Sequence, residues 1–131
     1  IDHFLTIDEL AMLLARTDLY VTPYRSKDQI VSGALTFAVA AGCPVVSTPY
    51  FYAEDLLSSG AGVLVPFGDS SKLAAAVLDL LGSPAKLSAA RAEARRVGAD
   101  LTWASVGKAT LEVLAEAAHR VQVPATLGRS R

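Results

Sequence analysis

The chain reads as an α/β fold: a short parallel sheet of about three strands, helices on both of its faces, and a helical C-terminus. Three observations point there. Short β-prone runs alternate with segments of helical period, in the order helix, strand, helix, strand, helix, strand, then three helices. The candidate strands are apolar without alternation, as expected when both sheet faces are covered. Strands separated by helices call for parallel pairing through right-handed crossovers.

The elements follow in order. Thr6-Ile7-Asp8-Glu9 is a capping box, a hydroxyl three residues before a glutamate, each satisfying an orphan backbone donor. Ile7, Leu10, Leu13 and Leu14 then recur at helical spacing, predicting a helix to about Arg16. Leu19-Tyr20-Val21 is the first strand, ended by Pro23. After a polar stretch over residues 25–29, Ser32-Gly33 opens a helix whose residues 34–41 are small or apolar throughout. Gly42 stops it and Pro44 prevents it resuming. Val45-Val46-Ser47 is the second strand, and residues 53–59 form a short helix ended by Gly60. Gly62-Val63-Leu64-Val65 is the third strand, closed by Pro66. Asp69 or Ser70 caps the next helix, with Leu73, Ala76, Val77, Leu80 and Leu81 as its apolar stripe. Ser83-Pro84 is a cap followed by proline at the first helical position. That helix turns Leu87, Ala90, Ala94 and Val97 inward and presents Arg91, Arg95 and Arg96 as a basic outer face. Trp103 opens the last helix, with Val106, Val113, Leu114 and Ala117 expected inward. Residues 123–131 are expected to form a flexible tail after a domain spanning 1–122. The sum is a partial Rossmann-like, three-layer arrangement, half of a doubly wound sheet.

Composition narrows the function. The 131 residues are 52% hydrophobic and 19% charged, with a mean hydropathy of +0.38. The excess of apolar residues fits either a surface that normally faces other sequence or a chain simply rich in alanine. Net charge is −1, which argues against a nucleic-acid partner, since that binding wants a basic patch. The single cysteine, Cys43, excludes an intrachain disulfide and, lying in an apolar run, reads as a buried inert thiol. That run, from Phe37 to Val46, is about ten residues long and is broken by Gly42 and Pro44, far short of the roughly 20 that span a membrane. Ile1-Asp2-His3-Phe4 looks like mid-chain sequence without a signal peptide, so a fragment is expected.

In open parallel sheets, ligands bind beyond the carboxyl ends of the strands. Two polar, aromatic loops occupy that position, residues 22–33 and residues 47–54. Ser32-Gly33 places backbone amides at a helix N-terminus, suited to an anion such as phosphate or to nothing beyond an ordinary cap. Tyr50, Phe51 and Tyr52 either stack a base or sugar ring or plug the space beneath a loop. Glu54 and Asp55 suit the positive end of a helix. There is no Gly-rich dinucleotide fingerprint, P-loop, zinc spacing, Asp-x-Asp pair or Gly-x-Ser-x-Gly elbow. His3 and His119 lie near opposite ends, against a His-centred catalytic site.

Asp18-Leu19-Tyr20-Val21-Thr22-Pro23, the segment from Phe37 through Gly42-Cys43-Pro44-Val45-Val46-Ser47-Thr48, then Glu54, Gly62-Val63-Leu64-Val65 and Trp103 follow one another at family-like spacing. Together, from Asp18 to about Leu114, they resemble the C-terminal domain of group 1 glycosyltransferases (family 4, GT-B fold). The resemblance implies the donor-side half of an enzyme that transfers a sugar from a nucleotide-sugar to an acceptor. It further implies a hexosyltransferase-type parent, retention at the sugar carbon, no essential metal and no other cofactor. The basic phosphate-binding residues and the acceptor-bearing N-terminal domain would both lie upstream of this chain's start, and the isolated fragment is expected to be inactive. Cytoplasmic location follows from the same likeness, with the full-length protein either free or peripheral to the inner membrane.

The family's two glutamates, with seven residues between them, fall on Gln29 and Phe37, neither a carboxylate. The loop between Thr48 and Glu54 is also one residue short. The run from Gln29 to Leu35 looks instead like a divergent branch with the pattern Gln-x-x-Ser-Gly-Thr-Leu, and Thr48 to Glu54 matches another mark of it. The resemblance thereby implies donor or nucleotide contacts at Gln29, Ser32, Gly33, Thr48, Tyr50 and Glu54, with the catalytic residues unassigned. The alternative is a non-catalytic nucleotide-binding or interaction module of the same fold; a nucleotide-sugar epimerase wants cleft acid and base groups that are not found. In the family's sheet order the strand at Leu19 to Val21 is central, so its free edge here is expected to drive self-association.

Overall fold

The computed structural model describes residues 3–121. They form two compact units that divide after Leu101, and the tail expected over 123–131 lies outside the described residues. The first unit holds three strands, β1 (Tyr20–Thr22), β2 (Val45–Ser47) and β3 (Gly62–Leu64), in the order β1-β2-β3. Both pairings are parallel, with Tyr20 opposite Val45 and Val45 opposite Gly62. Its helices are α1 (Ile7–Ala15), α2 (Gly33–Ala40), α3 (Phe51–Leu57), α4 (Ser70–Leu81) and α5 (Pro84–Gly98), followed by a 3-10 turn over Ala99–Leu101.

The expected layering follows from the two-residue period of the central strand. Val45 faces one cluster with Leu14, Leu35, Val39, Tyr50, Leu57 and Ala94, drawn from α1, α2, α3 and the end of α5. Val46 faces the other way, toward Val65 just after β3, Leu80 of α4 and Ala90 in the middle of α5. Both valines are fully buried, the reason β2 shows no polar alternation.

Local chemistry sets the helix boundaries. The Thr6–Glu9 capping box is complete: the Glu9 carboxylate accepts from the Thr6 amide at 2.8 Å, and the Glu9 amide donates to the Thr6 hydroxyl at 3.3 Å. Ser32, Asp69 and Ser83 each accept an amide hydrogen bond as N-caps of α2, α4 and α5. Gly42, at φ 74°, ends α2 in the left-handed region, where a side chain would also strike the stem of Arg95.

Several details differ from expectation. Helix α3 starts at Phe51, two residues before the anticipated Ala53, because Tyr50 buries its ring and brings the following aromatics into the first turn; tertiary burial outweighs the poor helix propensity of aromatics. Leu81, assigned to the α4 stripe, is exposed, as it sits at the helix end beside the buried Leu80. Nor is the basic face of α5 a simple solvent face: Arg91 donates to the Thr17 carbonyl at 3.3 Å and pairs with Asp18, tying α5 to the turn before β1.

The second unit is helix α6 (Trp103–Val121), with the Thr102 hydroxyl accepting from the Ser105 amide at its start. Val106, Val113 and Leu114 were expected inward but are exposed, as is Trp103. Periodicity states which side chains share a face; it does not state what covers that face. Among the described residues, no single helix is long and apolar enough to cross a membrane.

Candidate functional site

Parallel registry places Thr22, Ser47 and Leu64 in one row, so three loops leave the sheet from a common rim. Hydroxyl groups knit the first two loops together. The Ser47 hydroxyl donates to the Thr22 carbonyl at 2.9 Å, and the Thr48 hydroxyl donates to the Tyr24 carbonyl at 2.8 Å. The Tyr24 and Tyr50 rings meet edge to face with centroids 4.8 Å apart, a favoured aromatic geometry. Farther out, the Phe51 amide donates to the Lys27 carbonyl, while the Lys27 ammonium lies 5.1 Å from the Phe51 ring centre and 3.5 Å from the Glu54 carboxylate.

The anticipated residues divide into groups. Gln29 spends its side-chain amide on the Val31 carbonyl at 2.6 Å, closing the turn that leads into α2. Ser32 is buried and accepts from the Leu35 amide. Gly33, the first residue of α2, is exposed, and a Cβ built there meets nothing within 4 Å. This end of α2 therefore opens outward, with its first amides directed along the helix axis. Glu54 is an exposed partner of Lys27, a pairing of small energetic weight.

Tyr50 requires a correction as a stacking residue. Its side chain is 0% exposed, so the ring plugs the space beneath the loop and no base or sugar reaches its face. Burial raises the pKa of its phenol, while the nearby hydroxyls of Ser32 and Ser47 act to lower it. Neither completes a hydrogen bond with the Tyr50 oxygen, which has no partner among the described residues. Of the aromatic trio, Phe51 is exposed and Tyr52 shares a 2.7 Å hydrogen bond with Thr36.

A cleft of about 220 Å³ opens on the same rim, lined by Pro23, Tyr24, Arg25, Thr48, Val65, Pro66, Gly68, Asp69, Ser70 and Leu73. Thr48 is the one anticipated residue in its wall; Gln29, Ser32, Gly33, Tyr50 and Glu54 are not part of it. The loop after β3 was missed by the sequence reading. Its signal was available: Pro66-Phe67-Gly68-Asp69 follows the third parallel strand, and the rule that singled out the first two loops applies equally to it. Asp69 lies there as the N-cap of α4 and accepts from the Lys72 amide at 2.9 Å. Among the described residues no group of three or more His, Cys, Asp or Glu side chains is placed to hold a metal ion.

The sequence profile of the family described as glycosyl transferases group 1 matches residues 3–83. The chain belongs to the group 1 glycosyltransferases. The matched span starts upstream of Asp18 and ends before α5, so it takes in all three strands and the whole rim. No curated protein and no solved structure matches this group 1 glycosyltransferase chain. Family membership assigns glycosyl transfer as the general chemistry. It leaves the donor and the roles of individual side chains to be argued from the rim.

Proposed function

We propose that the rim is the donor side of a glycosyltransferase that takes a sugar from a nucleotide-sugar and passes it to an acceptor. The observation that carries this reading is the open N-terminus of α2 at Gly33, on the same strand-end rim as the Thr48 cleft. Backbone amides at a helix start, aided by the helix dipole, suit a diphosphate. The cleft is smaller than the usual range of about 300–1,000 Å³ for ligand sites, so it fits one part of a donor and not the whole of it. Arg25 and Asp69 supply opposite charges at its edge. Gln29, with its amide nitrogen engaged, retains a carbonyl oxygen for a sugar hydroxyl.

The isolated chain is expected to bind without turnover, because transfer needs donor and acceptor held together, and the partner in that task is an acceptor-bearing domain of the parent. Gly33→Val tests the donor reading directly. No protein atom lies within 4 Å of the added Cβ, so the folding stability should stay within about 0.5 kcal/mol of wild type, as for exposed substitutions generally. Thermal-shift titration with UDP-, GDP- and ADP-sugars should show binding by the wild-type chain and none by the variant. Equal binding by both removes α2 from the site.

A second reading, nucleotide binding without transfer, is favoured by one observation. The position of the family's second glutamate is held by Phe37, half-exposed on α2 and unable to accept a hydrogen bond. Donor hydrolysis by the full-length protein decides between them. We also propose that the free edge of β1, where Val21 is 40% exposed, pairs weakly with a second copy. Pro23 and the Arg91 contacts at Thr17 and Asp18 shorten that edge, so association should appear by light scattering only at high concentration. A strictly monomeric chain there counts against it.

A further inference from the structure

The hydroxyl of Tyr50 has no task in the reading above. Its oxygen is buried and completes no hydrogen bond among the described residues. An unmet polar group of this kind is costly, and phenylalanine would fill the same space without the cost. Its surroundings are specific. Ser32, the N-cap of α2, and Ser47, the last residue of β2, lie near enough for their hydroxyls to act on the phenol. Hydrogen accounting shows that the three fit together. Ser32 accepts from the Leu35 amide, which leaves its own proton to give. Ser47 gives its proton to the Thr22 carbonyl, which leaves its oxygen to accept. A phenol set between them can take the first and supply the second.

We propose that Tyr50 is a positioning residue for the donor site, closing a chain of hydroxyls from Ser32 through Tyr50 and Ser47 to the Thr22 carbonyl when the first turn of α2 is loaded. In the unloaded chain the two links at Tyr50 are open. An anion held by the first amides of α2 draws that turn inward, Ser32 meets the phenol, and the helix start is locked to the ends of β1 and β2. The inference rests on the donor reading, and it adds a residue that touches no ligand.

Tyr50→Phe removes one oxygen and leaves the packing. The full chain and this variant are titrated with UDP, GDP and ADP in turn, and their unliganded melting temperatures compared. The expected result is an unchanged or raised melting temperature and a loss of diphosphate affinity of about thirtyfold, the worth of two ordinary net hydrogen bonds. Ligand-induced slowing of hydrogen exchange at the Leu35 amide should disappear with it. In a Ser47→Ala background the same change should cost no further affinity. Binding by wild type and variant alike overturns the inference and leaves the donor reading standing. Failure of the wild-type chain to bind any of the three overturns both. A lowered melting temperature in the variant shows that the hydroxyl is already bonded in the unloaded chain, and that too overturns it.

Discussion

Gly98 closes α5 at the point where that helix crosses α2. A Cβ added there would lie 2.5 Å from the Val39 carbonyl oxygen and 2.9 Å from the Ala40 Cα. Ordinary carbon contacts begin near about 3.5 Å, so Gly98→Ala must push the end of α5 outward by about 1 Å at this point. The displaced segment carries Ala94, which is fully buried against α2 and α3. Overpacking of this kind costs about 1–3 kcal/mol. Set against it is the gain of about 1 kcal/mol from replacing glycine by alanine in a helix. A net destabilisation of up to about 2 kcal/mol remains, a sizeable part of the 5–15 kcal/mol typical of a domain. Urea unfolding should show a midpoint lowered by up to about 1 M with an unchanged slope. Gly107 supplies the control, since its added Cβ meets nothing within 4 Å in α6; alanine there should raise helicity by circular dichroism. A Gly98→Ala midpoint at or above wild type would refute the close crossing.

Two further expectations concern titration and reactivity. Cys43 is buried, and burial raises its pKa against the opposing charge of Arg91; iodoacetamide should label it only as fast as the chain unfolds. Because the folded value lies above the ordinary one, its contribution to stability is whole below the ordinary thiol range and is lost as pH rises through the folded value. Rapid labelling of native protein at neutral pH would contradict this. Glu9 behaves oppositely. Hydrogen bonds from the Thr6 backbone and then its hydroxyl hold the Glu9 carboxyl below its usual range. The capping box should be intact above the ordinary glutamate pKa and fail as pH falls through the lower folded value, which an NMR titration of Glu9 would follow. Titration at or above the ordinary value would show that the box is not formed in solution.

How much of this was legible depends on the range of the interaction. Thr6 with Glu9, Ser32 with Leu35, and Asp69 with Lys72 are contacts three residues apart, and a linear reading recovers them together with the helices that they start. Gly42 and Gly60 stop their helices through their own backbone freedom, also a local property. The sheet followed because Val45 and Val46 are apolar on both sides, which only a covered parallel strand needs. What failed depended on distant partners. Whether Tyr50 stacks on a ligand or fills the core is decided by Tyr24, Ser32 and Ser47, none of them its helical neighbours. The approach of Gly98 to Val39 and the part of Asp69 in the rim cleft belong to the same class. Val113 and Leu114 show the converse, a correct helix with no information on what covers it.

The hydroxyl bonds at Ser47 and Thr48 have a consequence for how such a rim can change over time. Both end on main-chain oxygens, at Thr22 and Tyr24, and a carbonyl is present whatever residue carries it. The shape of the loop is thus anchored from the neighbouring strand and owes little to the side chains at positions 25, 27 and 30. Those positions are free to be exchanged while the path of the backbone stays put, so the loop can change its surface chemistry without the framework being rebuilt.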